Sequence, residues 1–152
     1  MRTTLLAIGK LRPAFREACD EYVARLRRFG DFTEREIREP SASLPDAERM
    51  AREGERLLAG VPAGATVIAL DRTGEAWSSE DLARRLVAWR LAAAPLALLI
   101  GGAQGLDPAV GSAARHRWSL GPLTLPHELA RVVVVEQWYR AWTILRGEPY
   151  HK

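Results

Sequence analysis

Short apolar runs alternate with longer amphipathic segments along this chain. Residues 3–8, 66–70 and 96–100 have the length and composition of buried strands. Two further strands are predicted at 32–38, where the alternation is poor, and at 118–120. Uninterrupted apolar runs of this kind are typical of strands covered on both faces, which favours parallel pairing.

The intervening segments carry apolar residues at the 3.6-residue spacing of helices that bury one face. We predict helices at 13–29, at 45–58, from Ser78 onward, after Asp107-Pro108, and from Pro126 to about Arg146. Ser78 and Asp81 form an approximate capping box, and Asp107-Pro108 offers an N-cap followed by proline. Strands that alternate with helices predict an α/β fold, a mostly parallel sheet with helices on both faces, in one domain spanning 1–152.

Three loops follow predicted strands, at the edge where open parallel sheets bind ligands. The first follows Leu70, where 71–74 predict a turn. The second is the glycine loop, residues 101–105, with three glycines in five positions. It would let a ligand approach the backbone closely, although a simple tight turn is the alternative. The third is the leucine–proline loop, residues 121–127, which could cover a flat ligand or be an irregular connector.

The common nucleotide-binding motifs are absent. No GxxxxGK[ST] occurs, which disfavours a nucleotide triphosphatase, and no GxGxxG follows the first strand, which disfavours an ordinary dinucleotide fold. The three histidines have no spacing typical of metal ligands, so no metal site is predicted. We expect a structural role for His127, at a helix start, and a surface position for His116.

Composition narrows the setting without identifying a function. The chain is 47% hydrophobic and 27% charged, as in ordinary globular proteins. A net charge of +3 and a pI of about 9.5 weakly indicate a polyanionic partner. No apolar run of about 18 residues occurs and the first residues lack signal-peptide features, so no membrane span and a cytoplasmic location are expected. The single cysteine, Cys19, has helical spacing with apolar neighbours, which predicts core packing.

Sequence blocks with high specificity are spread from one end of the chain to the other. They are AIGKL at 7–11, EGE at 53–55, VIALD at 67–71, LIGGAQGL at 99–106, LTLPH at 123–127, RV at 131–132, EQWYRAW at 136–142 and GEPYHK at 147–152. In this order they resemble the ribosomal RNA large subunit methyltransferase H family, which are small enzymes of the SPOUT class.

The resemblance implies a fold and a reaction that periodicity does not reveal. The fold would include a C-terminal trefoil knot, an exception to the usual connection rules. The protein would be a homodimer with the active site between protomers. It would methylate N3 of a pseudouridine in 23S ribosomal RNA on the assembled ribosome, with S-adenosyl-L-methionine as cofactor and no metal.

The resemblance also implies site residues. Cofactor contacts would come from Leu70, Gly101, Leu120, Gly121, Pro122, Leu123, Thr124 and Leu125, with Gly102 and Gly105 shaping the same pocket. Tyr150 and His151 are the candidates for catalysis, by positioning the substrate or removing its proton. Arg131 and Arg140 are candidates for holding RNA phosphate or the cofactor carboxylate. An ion pair with Glu136 is the alternative for Arg140.

Three other functions stay open on sequence grounds. A non-catalytic RNA-binding or ribosome-assembly protein could keep the fold, and the basic pI would suit it. A SPOUT enzyme with another target, such as transfer RNA, would be expected to carry an added RNA-binding domain. A small-molecule enzyme, such as a nucleotide hydrolase, would need paired carboxylates or a metal site, and no convincing cluster is present.

Overall fold

The computed structural model describes residues 1–152, in which five strands alternate with five helices. The strands are β1 (Arg2–Ile8), β2 (Asp31–Ile37), β3 (Thr66–Ala76), β4 (Leu96–Ile100) and β5 (His116–Ser119). The helices are α1 (Pro13–Leu26), α2 (Asp46–Ala59), α3 (Ser79–Ala92), α4 (Pro108–Ala113) and α5 (His127–Leu145). The predicted α/β class is confirmed.

All five strands lie in one sheet, ordered β2-β1-β4-β3-β5 and parallel at every pairing. Side chains alternate between its two faces, as the pleat of a strand requires. Leu98 belongs to the core cluster that also contains residues of α1, α3 and α5. Its neighbour Leu99 belongs to the cluster that contains residues of α2 and α4. Both faces are therefore covered, which explains why β4 is apolar at every position.

Helix α5 holds the larger cluster together. Trp138 is fully buried on it and stacks on Trp89 of α3, with ring centroids 5.9 Å apart. The β-branched run 132–135, which has strand propensity, is helical here because the 19-residue segment buries residues at helical spacing. Cys19 is also fully buried, as predicted, and burial raises its pKa to about 12.

The 71–74 segment differs from the predicted turn, because β3 continues through it to Ala76. The extra residues form an irregularity, in which Trp118 of β5 pairs with both Leu70 and Glu75. Asp71 stabilises the distortion by accepting hydrogen bonds of 2.9 Å from the backbone N–H and the hydroxyl of Thr73. β3 thus runs through a local Asx-type turn, at which its pairing with β5 is shifted.

Two other expectations need correction. His116 is half-buried rather than on the surface: it packs 5.5 Å from the Trp89 ring and 6.2 Å from the Trp77 ring, and burial lowers its pKa. Asp107 stands at the start of α4 but makes no side-chain cap hydrogen bond. Its side chain instead packs against Gly54 of α2. The capping box of Ser78 and Asp81 is confirmed.

Candidate active site

A cleft of about 730 Å³ opens at the carboxyl ends of β4 and β5, beside the irregular part of β3 at residues 70–73. Its walls are the three loops singled out from the sequence. Every residue expected to contact the cofactor lines it except Pro122, namely Leu70, Gly101, Gly102, Gly105, Leu120, Gly121, Leu123, Thr124 and Leu125. The volume lies within the range of about 300–1,000 Å³ that is typical of small-molecule sites.

The glycine loop forms the floor of this cleft, and its conformation depends on glycine. Gly105 has φ +92° and donates a backbone hydrogen bond of 3.0 Å to the Gly102 carbonyl. A Cβ on Gly101 would lie 2.6 Å from the Gly105 carbonyl oxygen, too close for any side chain. The three glycines therefore close a turn tight enough to expose backbone at the end of β4.

The leucine–proline loop forms the opposite wall. Gly121 begins it with φ +111°, and its N–H donates a 3.1 Å hydrogen bond to the hydroxyl of Ser119 at the end of β5. Leu123 is 75% exposed at the rim. Arg72, from the first loop, donates a 3.4 Å hydrogen bond to the Thr124 hydroxyl, which joins two walls of the cleft.

The charges in the walls are unevenly neutralised. Burial favours a higher pKa for Asp71, but hydrogen bonds from Thr73 and Arg117 outweigh it, and the pKa is lowered. Asp71 is therefore an ionised carboxylate committed to Arg117, at 2.9 Å. Arg72 has no carboxylate partner and faces the cleft. Arg72 was not predicted as a site residue, although a basic residue shortly after a buried strand indicates a position at the ligand-binding edge of the sheet.

The C-terminal residues lie elsewhere, since neither Tyr150 nor His151 lines the cleft of its own chain. The Tyr150 ring packs edge-on against Tyr139, and its hydroxyl donates a 2.9 Å hydrogen bond to Glu136. Burial and the hydrogen bonds with Tyr22 and Glu136 raise the pKa of Tyr150. Tyr150 therefore keeps its proton near neutral pH and acts as a donor.

His151 lies between a cation and a carboxylate. Its Nδ1 is 3.2 Å from Nη1 of Arg140, and its Nε2 is 2.9 Å from Oε1 of Glu80. Because a guanidinium can only donate, Nδ1 is the acceptor in this arrangement and Nε2–H donates to Glu80. Glu80 thus holds the ring in the tautomer whose Nδ1 carries the lone pair that accepts from Arg140.

The two candidate arginines differ in accessibility. Arg140 forms the expected ion pair with Glu136, at 2.7 Å, and is also in contact with His151. Arg131 is 1% exposed, and its guanidinium is bound to Glu34, Glu36 and the carbonyls of Ile8 and Gly9. This placement corrects the prediction that Arg131 holds RNA or the cofactor, because its guanidinium is buried and already bound to groups of the protein itself.

No group of three or more histidine, cysteine, aspartate or glutamate side chains is arranged to hold a metal ion. None of the helices combines the length and the apolar character that crossing a bilayer requires.

Known proteins that are similar to this chain in sequence and in fold are methyltransferases. The sequence model of the family described as "Predicted SPOUT methyltransferase" matches residues 1–151. Proteins named ribosomal RNA large subunit methyltransferase H from Pseudomonas aeruginosa and Azotobacter vinelandii are 44% and 41% identical to the chain, over 100% of both sequences in each case. The solved structure of a tRNA methyltransferase from Aquifex aeolicus has a TM-score of 0.55 at 15% identity, and covers 100% of this chain and 74% of that one. At this identity the structural likeness concerns the fold.

Proposed function

The chain belongs to the SPOUT methyltransferase family, and from this premise we propose that it methylates N3 of a pseudouridine in 23S ribosomal RNA, with S-adenosyl-L-methionine as methyl donor. The observation that carries the proposal is the cleft of about 730 Å³ at the carboxyl edge of the sheet in a chain of this family. The names of the full-length relatives support large-subunit ribosomal RNA as the substrate.

The residues of the cleft fit an adenosine-based cofactor. Leu70, Leu106 and the leucines of residues 120–125 provide apolar surface for a flat base. The open space around Gly105 and Gly121 leaves peptide groups accessible to the ligand's polar edge. We therefore assign cofactor binding to Leu70, the glycine loop and residues 120–125.

Methyl transfer asks little covalent chemistry of the protein. S-adenosyl-L-methionine, when bound, supplies a methyl group already activated by the positive sulfur. The side chains must hold N3 of the pseudouridine in line with the bond that breaks, mainly a matter of proximity and orientation. They must also accept the N3 proton, because a neutral imide nitrogen is a poor nucleophile.

We assign the proton transfer to His151. Glu80 orients the ring through Nε2–H, which leaves Nδ1 as the basic nitrogen. In the proposed reaction the N3–H of the substrate replaces Arg140 as the donor to Nδ1. Arg140, freed from this contact, stabilises the imide anion or a phosphate of the RNA. Tyr150 remains protonated and positions the base.

This assignment requires two copies of the chain. Because the C-terminal residues do not line their own cleft, we propose a homodimer in which the tail of one protomer reaches the cleft of its partner. We further propose that residues 1–152 form one domain with the trefoil knot of its class, and that the enzyme acts on ribosomes in the cytoplasm.

Transfer from radiolabelled S-adenosyl-L-methionine tests the proposal. We expect label in ribosomes that lack the modification, and little label in free ribosomal RNA or in transfer RNA. Label in transfer RNA alone would show that the enzyme has a different substrate from the one proposed. Cofactor binding without label in any RNA would contradict the proposed target, and neither binding nor label would favour a non-catalytic RNA-binding protein.

A further inference from the structure

Glu53 lies directly behind the glycine loop and has no role in the reaction proposed above. It belongs to α2 and is 2% exposed. A Cβ on Gly102 would lie 2.7 Å from Oε1 of Glu53, so the loop backbone rests on this carboxylate. Gly102, in the floor of the cleft, thus separates the space for the ligand from the buried carboxyl group of Glu53.

The charge of Glu53 is poorly compensated. Its Oε2 is buried without a hydrogen-bond partner. The ionisable groups that face it are Arg49 on the same helix, Glu39 after β2 and His127 at the start of α5, and none of them forms an ion pair with it. Burial raises the pKa of Glu53 more than Arg49 and the Gly102 amide lower it. An ionised carboxylate here would be stabilised by any additional positive charge nearby.

The walls of the cleft offer no other free negative charge. Asp71 is the one carboxylate among the lining residues, and Arg117 neutralises it. Arg72 adds a positive charge. The only carboxylate without a cation partner near a cationic ligand in the cleft would therefore be Glu53, behind Gly102. Interactions between charges are stronger across protein atoms than across water, because the effective dielectric constant is lower.

We infer that Glu53 determines specificity for the charge of the cofactor: its buried carboxylate favours the cationic methyl donor over the neutral thioether product. The inference rests on the proposed use of S-adenosyl-L-methionine. Donor and product, S-adenosyl-L-homocysteine, differ only by the methyl group and the positive charge on sulfur. Loss of that charge during transfer removes the attraction to Glu53, which assists release of the product.

Calorimetric binding of donor and product tests the inference. We expect Glu53→Gln, which keeps the size of the side chain, to weaken binding of S-adenosyl-L-methionine about tenfold. Binding of S-adenosyl-L-homocysteine should change by less than about twofold, since it carries no charge on sulfur. Glu55→Gln is the matched control, because Glu55 is exposed on the same helix. Equal weakening of both ligands, or of neither, would overturn the inference.

A second measurement on the unmodified protein keeps the test independent of folding of the variant. A bound cation lowers the pKa of Glu53, so donor binding should release protons where part of Glu53 is still protonated. We expect proton release at pH values above the ordinary range of a glutamate, because the pKa of Glu53 is raised by burial, and we would measure it in buffers of different ionisation enthalpy. The product should release none. Identical proton release with both ligands, or none with the donor, would contradict the inference, whereas failure to bind either ligand would contradict the proposed function itself.

Discussion

At the scale of single residues, the glycine loop is the most restrictive part of the cleft. Any Cβ on Gly101 would collide with the Gly105 carbonyl at 2.6 Å. We predict that Gly101→Ala distorts the loop and weakens binding of S-adenosyl-L-methionine by at least about fivefold, since overpacking of this kind costs about 1–3 kcal/mol. Calorimetry measures the effect.

Gly111→Ala serves as the control, because its Cβ would meet its nearest neighbour at 3.4 Å, an ordinary contact. Unchanged affinity in Gly101→Ala would remove the glycine loop from the cofactor site.

His151 gives the sharpest separation of catalysis from cofactor binding. We predict that His151→Ala lowers the rate of methyl transfer about 100-fold, because a positioned base contributes about that factor. Its affinity for S-adenosyl-L-methionine should not change, because the proposed role of His151 is to accept the N3 proton of the RNA and not to hold the cofactor. Single-turnover transfer and calorimetry measure the two quantities.

Lys152→Ala, at the exposed last residue, should retain both properties. A parallel loss of affinity and rate in His151→Ala would show that the tail is structural. Removal of residues 150–152 is less informative, because it also deletes the packing of Tyr150 on Tyr139.

Residues at strand ends were easier to predict than residues on helices. The glycine loop and residues 120–125 could be identified because the carboxyl ends of parallel strands meet at one edge. Arg131 could not, because its partners Glu34 and Glu36 lie 97 and 95 positions away in the sequence. When those contacts are unknown, a buried basic residue on a helix cannot be distinguished in the sequence from a basic residue that binds RNA. The sequence analysis named Glu53 only as part of the EGE block that carries the family resemblance. Its position behind Gly102 could not be predicted, because that position depends on the packing of α2.

At the scale of secondary-structure elements, Arg131 joins α5 to the edge of the sheet. It bridges the carboxylates of β2 and the carbonyls that follow β1. We predict that Arg131→Met destabilises the protein by about 3–5 kcal/mol, because two carboxylates lose a buried cation. Chemical denaturation measures the loss.

Arg52→Met is the comparison, since Arg52 forms an exposed pair with Glu48 on one helix. It should cost less than about 1 kcal/mol. Equal costs would show that the buried network contributes little to joining α5 to the sheet.

The elements themselves followed the hydrophobic pattern closely, with one informative exception. The apolar runs of β1, β3 and β4 and the spacing of α5 were sufficient to predict the parallel α/β class. The continuation of β3 beyond Leu70 was not, because Asp71-Arg72-Thr73-Gly74 has the composition of a turn. The strand continues because Gly74 lets the backbone approach β5, where a Cβ would lie 2.4 Å from the Arg117 carbonyl oxygen.

At the scale of the whole molecule, the proposed dimer makes a prediction about mixed subunits. Gly101→Ala impairs the cleft at a low concentration of the methyl donor, and His151→Ala disables the tail. If each tail acts in the partner's cleft, a mixed dimer keeps one complete site. After random exchange of subunits we expect about a quarter of the normal activity, since about half the dimers are mixed and each has one of two sites. Activity no greater than that of the separate variants would place cleft and tail in the same protomer.

The central claim is that this cleft and tail methylate N3 of a pseudouridine in the large ribosomal subunit. The most direct measurement is mass mapping of the nucleotide that receives the labelled methyl group in unmodified ribosomes. We predict a single labelled 23S pseudouridine carrying the methyl group at N3, and no labelling in ribosomes that have uridine at that position. Label on a different base, or equal label with uridine, would contradict the account.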